Sequence, residues 1–146
     1  PGQYGECGKA SGLDSDEACS VNCKSCTKCR GGTYNPVTGS TSNTSCLSCS
    51  TGYVSTAGAS SCLGCEAGRY ATDETGNYAI IAMATNCTSC QFGYYQPADH
   101  SVYCAPCDAG TMSNGTATKE CTSCPAGTAS STGSATCTDC NPGYYQ

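Results

Sequence analysis

The chain has 146 residues, of which 17 are Cys, a formal charge of −5, and charged side chains at only 12% of positions. Cysteine above about 8–10% marks a disulfide scaffold made in an oxidising compartment, and one Phe, no Trp and few large aliphatic residues exclude an ordinary apolar core. Six scattered basic residues offer nucleic acid no electrostatic footprint, and no apolar run approaches the roughly 18 residues of a transmembrane span.

The opening Pro1-Gly2-Gln3-Tyr4 has neither the basic nor the apolar region of a signal peptide. The expectation is a mature or excised piece of a secreted chain. Further on, Leu13-Asp14-Ser15-Asp16-Glu17-Ala18 precedes Cys19, Cys23 and Cys26 at i, i+4, i+7 spacing, and Asp14 with Glu17 has the form of a capping box. A short helix is expected there. Cys7, Cys19, Cys23 and Cys26 are expected to pair among themselves, closing an N-terminal cap over residues 1–29.

Residues 30–146 form a tandem array. The phrase Cys-x-x-Cys-x-x-Gly occurs seven times, starting at Cys26, Cys46, Cys62, Cys87, Cys104, Cys121 and Cys137, with steps of 20, 16, 25, 17, 17 and 16 residues. An aromatic residue follows the glycine in most of them, as in Gly52-Tyr53 and Gly93-Tyr94-Tyr95. A second turn former sits later in each unit: Gly39, Gly58, Gly76, Asp99-His100, Gly115 and Gly133. Each unit therefore reads as a short strand around the Gly-x-Tyr, a turn, and a return strand ending on the next Cys. The fold class expected is small and disulfide-rich, an elongated array of two-stranded β ribbons with little regular secondary structure. Such ribbons are marginal alone and need a staple.

Two stapling schemes fit the spacing. In a ladder, the second Cys of one phrase bonds the first Cys of the next, giving Cys29–Cys46, Cys49–Cys62, Cys65–Cys87, Cys90–Cys104, Cys107–Cys121 and Cys124–Cys137. In an interlocked scheme, first pairs with first and second with second, for example Cys46–Cys62 with Cys49–Cys65. Spacing alone does not fix connectivity. The ladder is favoured because every repeat becomes a closed loop and the long spacer after Cys65 leaves the parity intact. A loop of about 15 residues closed this way is worth about 3 kcal/mol in the chain-entropy model. Cys140 is left without a partner in the ladder.

One repeat carries an insertion, Gly68 to Asn86, centred on Tyr78-Ala-Ile80-Ile81-Ala-Met83, the most apolar window of the chain. It reads either as a local mini-core against a neighbouring ribbon or as a contact with another copy or partner. Tyr78, Ile80, Ile81 and Met83 are the candidates for that contact.

The phrase Cys121-Thr-Ser-Cys124-Pro-Ala-Gly127-Thr128, followed by Ser, Thr and Gly and then Cys137-x-x-Cys140-x-Pro-Gly-Tyr, resembles the cysteine-rich repeat of ephrin-receptor type. That repeat belongs with the growth-factor-receptor and tumour-necrosis-factor-receptor cysteine-rich modules. The resemblance covers about residues 26–146. Arrays rich in Thr and Ser and poor in charge are also similar to surface coat antigens of flagellate and ciliate protists and to extracellular fibre proteins of unicellular eukaryotes. What the resemblance implies is a secreted rod for adhesion, coating or ligand docking, without catalysis or a cofactor.

Asn43-Thr-Ser45, Asn86-Cys-Thr88 and Asn114-Gly-Thr116 match the N-glycosylation acceptor, so N-linked glycans are expected on Asn43, Asn86 or Asn114. Paired Cys-x-x-Cys phrases could instead hold zinc between four thiolates, although sequons point outside the cell, where thiols oxidise. A thioredoxin-like role needs a βαβ context that nothing here resembles. Asp14-x-Asp16-Glu17 fits a charged helix N-terminus better than a calcium site, and His100, the single His, is expected to lie exposed in a turn with no triad around it. The expected function is structural: an extracellular glycoprotein acting as protomer or segment of a filament or cell-surface coat, with copies of itself as head-to-tail partners. A receptor-type ligand-binding or adhesion module is the alternative, and a zinc-binding module the third.

Overall fold

The computed structural model describes the backbone of residues 3–5 and residues 26–77 and 83–145 in full. The expected helix after Asp14, residues Cys7, Cys19 and Cys23, and Tyr78, Ile80 and Ile81 lie outside the described residues.

Among the described residues, fourteen short strands form seven separate two-stranded antiparallel sheets. In chain order the pairs are β1 (Gln3–Gly5) with β2 (Cys26–Lys28), β3 (Thr33–Tyr34) with β4 (Leu47–Ser48), and β5 (Tyr53–Val54) with β6 (Leu63–Gly64). Then come β7 (Arg69–Thr72) with β8 (Asn86–Ser89), β9 (Tyr94–Tyr95) with β10 (Ala105–Pro106), β11 (Thr111–Met112) with β12 (Thr122–Ser123), and β13 (Thr128–Ala129) with β14 (Thr138–Asp139). The expected tandem ribbons are present. The return strand, however, does not end on the next Cys: in five of the six ribbons of the ladder it is the dipeptide just after that Cys, as Leu47 and Ser48 follow Cys46, and β8 takes in Asn86 and Cys87 as well. The reason is the disulfide, which closes the ribbon at its far end and leaves the dipeptide between the two cysteines free to pair.

All six ladder disulfides are formed: Cys29–Cys46, Cys49–Cys62, Cys65–Cys87, Cys90–Cys104, Cys107–Cys121 and Cys124–Cys137. They close loops with sequence separations of 13 to 22 residues, each worth about 3 kcal/mol in the chain-entropy model. The second cysteine of the first five phrases is buried, with Cys90 and Cys107 wholly so. What apolar core there is gathers at the third repeat, where Val54, Cys65, Ala71 and Ala84 pack with Cys87 at their edge.

The phrase glycine makes a turn that no other residue makes cheaply. Its φ is positive in all seven phrases, from 77° at Gly32 to 90° at Gly143. The residue after it donates its N–H to the carbonyl two residues before it, as Tyr53 does to Ser50 at 3.0 Å. This is the turn that demands glycine at its third place. The glycine carbonyl then accepts from the second Cys of the following phrase, from Cys49 to Gly32 through Cys140 to Gly127, at 2.8–3.1 Å.

Candidate functional site

Repeats dock on one another through backbone groups. The residue three places after the phrase glycine donates its N–H to a carbonyl in the next repeat: Asn35 to Ala59, Ser55 to Ala84, Ala71 to Ser101, Gln96 to Thr118 and Ser113 to Ser134, at 2.9–3.3 Å. A second rung runs beside it, from the N–H of Gly58 to Cys29, His100 to Cys65, Ala117 to Cys90 and Gly133 to Cys107, at 2.6–2.9 Å. A third joins Gly32 to Ser55, Gly68 to Gln96, Gly93 to Ser113 and Gly110 to Ser130. Because these rungs use main-chain atoms, the side chains between cysteines are free to vary without breaking the stack.

The docking uses one positive-φ residue of each loop, and in two loops this is not the expected turn glycine, although Gly76 is also at positive φ in a turn of its own. Gly39, Gly58 and Gly133 hold that conformation, as do His100 at φ 58° and Ala117 at φ 56°. In the fifth repeat the residue is therefore Ala117, while Gly115 is not in the left-handed region. In the third repeat it is Met83, with φ 122°, since Ala84 accepts the rung that Ala59, Ser101, Thr118 and Ser134 accept elsewhere. Gly76 instead tops an extra turn. Register decides these positions: the left-handed residue is whichever one precedes the accepting carbonyl.

That residue reaches further still, onto the phrase glycine two repeats back. A side chain on Gly32 would collide with the backbone of Met83, one on Gly52 with the carbonyl of His100, one on Gly68 with Ala117 and one on Gly93 with Gly133. The phrase glycine thus serves twice, for its φ and for its missing Cβ. Gly127 and Gly143 face open space.

Polar side chains fill the small interior and are all satisfied among the described residues. Ser55 is buried and its hydroxyl donates to the Thr33 carbonyl at 2.9 Å. Buried Gln96 donates Nε2 to Ser101 Oγ and the Tyr103 carbonyl, each at 2.7 Å, while its Oε1 accepts from the Ala98 N–H. Hydrogen-bonded polar groups do here what apolar packing does in larger cores.

The inserted turn is organised by Asp73. Its Oδ1 accepts from the Thr75 hydroxyl at 2.6 Å, the Thr75 N–H at 2.9 Å and the Asn77 N–H at 3.0 Å. The Thr75 hydroxyl, with the amides of Asn77, Thr75 and Gly76, holds the carboxyl below its ordinary range against the opposing effect of desolvation. Below this turn, β7 and β8 extend to four residues each, with Thr72 and Thr88 hydroxyls 2.9 Å apart across them.

Each sequon asparagine is exposed: Asn43 in a 3-10 turn, Asn86 as the first residue of β8, and Asn114 in the loop after β11. Cys87, the middle residue of the second sequon, is in its ladder disulfide. Met83 is 39% exposed while its backbone serves the internal docking position. His100 is exposed as expected, but its ring stacks on Tyr53 with centroids 4.4 Å apart and planes 13° from parallel.

Two thiols are free among the described residues, Cys140 as the ladder requires and Cys26 against expectation. Cys26 does not pair with its N-terminal neighbours because it is itself a first ladder cysteine. Its strand pairs Lys28 with Gln3 and Thr27 with Tyr4, the register in which Ser48 meets Thr33 and Leu47 meets Tyr34.

The twelve ladder cysteines carry no thiolate with which to grip zinc. One open cleft of about 440 Å³ is lined by Lys28, Arg30, Thr33, Asn43 and Ser48 beside the Cys29–Cys46 disulfide. No helix among the described residues is long and apolar enough to cross a membrane. No protein-family model matches the chain, and no curated protein does.

Proposed function

We propose that this chain is a structural extracellular glycoprotein, a protomer or segment of a filament or surface coat. The observation that carries the reading is the docking of each repeat on the next by a repeated set of backbone hydrogen bonds, reinforced by a disulfide in every ribbon of the ladder. A stack of this kind propagates in one direction, as solenoid repeats do, and each interface uses groups that every repeat possesses. Twelve paired cysteines among the described residues suit an oxidising compartment. The exposed sequons at Asn43, Asn86 and Asn114 would coat the array with glycan.

Electron microscopy of the protein from its native source tests the proposal. Filaments or a layered coat with a regular axial repeat are expected. Dispersed monomers that bind a soluble ligand with a defined stoichiometry would replace this reading with that of a receptor-type module, for which exposed Phe92, Tyr94 and Tyr103 in the fourth repeat are the natural surface.

A further inference from the structure

The loop from Ser113 to Thr118 docks the fifth repeat on the fourth. The Ser113 carbonyl accepts from the Gly93 N–H at 2.8 Å, the Ala117 N–H donates to Cys90 at 2.9 Å, and the Thr118 carbonyl accepts from Gln96 at 3.0 Å. Between these fixed ends, the Gly115 carbonyl accepts from the hydroxyls of Ser113 at 3.3 Å and Thr118 at 3.1 Å. Neither the side chain of exposed Asn114 nor the N–H of Gly115 has a hydrogen-bond partner among the described residues.

Of the seven asparagines in the chain, Asn114 alone is followed by glycine. Asn35 and Asn141 precede proline, which has no N–H, and Asn22, Asn43, Asn77 and Asn86 precede residues with bulkier side chains. Gly115 is also the glycine that the fold requires least. From Gly31 to Gly143 the other glycines have positive φ or, at Gly31 and Gly64, no room for a Cβ. Gly115 has neither constraint, and a Cβ on it would meet only Thr118 Oγ1, at 3.6 Å. An unhindered, unbonded main-chain nitrogen beside a free carboxamide is the arrangement in which asparagine cyclises.

We propose that Asn114 deamidates through Gly115, that the isoaspartate so formed loosens the docking of the fifth repeat on the fourth, and that a glycan on Asn114 blocks the reaction. The last part rests on the glycoprotein reading above, and the chemistry does not. Hydroxide takes the proton of the Gly115 N–H, and the nitrogen attacks Cγ of Asn114. The new C–N bond closes a succinimide ring as the Cγ–Nδ2 bond breaks, and Nδ2 leaves as ammonia with a proton from water. Water then opens the ring. Opening at Cγ gives aspartate, and opening at the main-chain carbonyl carbon of residue 114 gives isoaspartate, whose main chain runs through Cβ and Cγ. Overall one water is consumed and one ammonia released, with no oxidation or reduction.

Isoaspartate lengthens the main chain by one methylene, about 1.5 Å of bond, between ends that the fourth repeat holds. It also moves the carbonyl to which the Ser113 and Thr118 hydroxyls donate. A sugar on Nδ2 covers the carboxamide and replaces ammonia by a bulky leaving group, while aspartate and isoaspartate are no longer glycan acceptors. The two modifications therefore exclude each other.

The test uses the secreted Thr116→Ala chain, which loses this sequon and keeps Asn114-Gly115, with its free thiols alkylated and its disulfides intact. It is held at mildly alkaline pH, and peptide mapping with isoaspartyl methyltransferase labelling follows each asparagine. Isoaspartate at position 114 is expected at least about ten times faster than at Asn77, the ratio that a barrier lower by about 1.4 kcal/mol produces. Asn77 is exposed too, but Tyr78 follows it and its Nδ2 is bonded to the Thr75 hydroxyl at 2.8 Å. Adding Gly115→Ala, whose Cβ fits, should slow the reaction about tenfold. In the isoaspartyl protein, hydrogen exchange at the Gln96 and Ala117 amides should rise about tenfold while that at Cys49 and Cys65 stays unchanged. A fresh Asn114→Asp chain carries the new charge on an unlengthened backbone and should exchange like the parent.

Conversion at position 114 no faster than at Asn77, or unaffected by Gly115→Ala, would overturn the site. Unchanged exchange at Gln96 and Ala117 in the isoaspartyl protein, or equal loosening by Asn114→Asp, would overturn the effect on docking. Native-source chains glycosylated at Asn114 should hold no isoaspartate there, and conversion as fast as in Thr116→Ala would overturn the protection. Native-source protein that carries isoaspartate and no glycan at this position would uphold the chemistry and remove the glycan from Asn114.

Discussion

The carbonyl oxygen of His100 stands where a side chain on Gly52 would have to be, so these two residues, two repeats apart along the ladder, constrain each other's identity. Gly52 contributes the missing Cβ, and His100 contributes a left-handed backbone that lets its N–H reach the Cys65 carbonyl at 2.6 Å. The same relation recurs from Gly32 with Met83 to Gly93 with Gly133.

Gly52→Ala should therefore cost more than Gly127→Ala. Both substitutions put a Cβ at positive φ, worth roughly 1–2 kcal/mol, but only Gly52 also meets backbone, adding about 1–3 kcal/mol of overpacking. Hydrogen exchange at the Cys65 amide, which bonds to Gly52, reads the local loss. Equal effects at the two positions would argue against docking across two repeats.

Ala117, a non-glycine turn residue, and its glycine equivalent Gly133 give a test of opposite sign. Ala117→Gly relieves left-handed strain of about 1–2 kcal/mol and loses about 0.5–1 kcal/mol to added backbone entropy, so a small gain in stability is expected. Gly133→Ala, the mirror change at the equivalent place, should destabilise by a similar amount. Chemical denaturation with disulfides intact measures both.

The repeat is legible in the amino-acid sequence because its information lies in spacing, and of the two pairings that fit this spacing only the ladder closes each ribbon on itself. The docking residues are not legible there. Asp99-His100 can be placed in a turn, but nothing local marks Ala117 as left-handed, since alanine disfavours that conformation and only the rung from Gln96 to Thr118 imposes it. Met83 is hidden by the insertion, which shifts the third repeat so that Gly76 falls at the expected distance from Cys65 while a later residue does the work. Cys26 misleads because it lies near Cys19 and Cys23 along the chain, whereas the phrase of which it is the first member governs its pairing.

Asp73 predicts a pH response confined to the insertion. Its carboxyl is held below the ordinary range by the Thr75 hydroxyl and three amides, so the folded turn favours the ionised form. Its contribution is present above the unfolded carboxylate pKa and is lost as pH falls through the lower, folded value. The amide signals of Thr75 and Asn77 should shift on acidification while those of Cys107 and Cys124, held by their own ribbons, stay in place. Asp73→Asn should abolish the shift.

Glycan occupancy is read from mass. Treating native-source material with an N-glycosidase should lower the mass and convert at least one of Asn43, Asn86 and Asn114 to Asp. All three are exposed, and Asn86 should be the least occupied because its neighbour Cys87 is held in β8 by the bond to Cys65.

Non-reducing peptide mapping of the native protein is the most direct test of the architecture, because ladder and interlocked schemes join different fragments. The ladder predicts Cys49–Cys62 and Cys65–Cys87 linked within their own ribbons and Cys107–Cys121 and Cys124–Cys137 likewise. Recovery of Cys46 bonded to Cys62, with Cys49 bonded to Cys65, would contradict it and with it the stack of independently closed repeats.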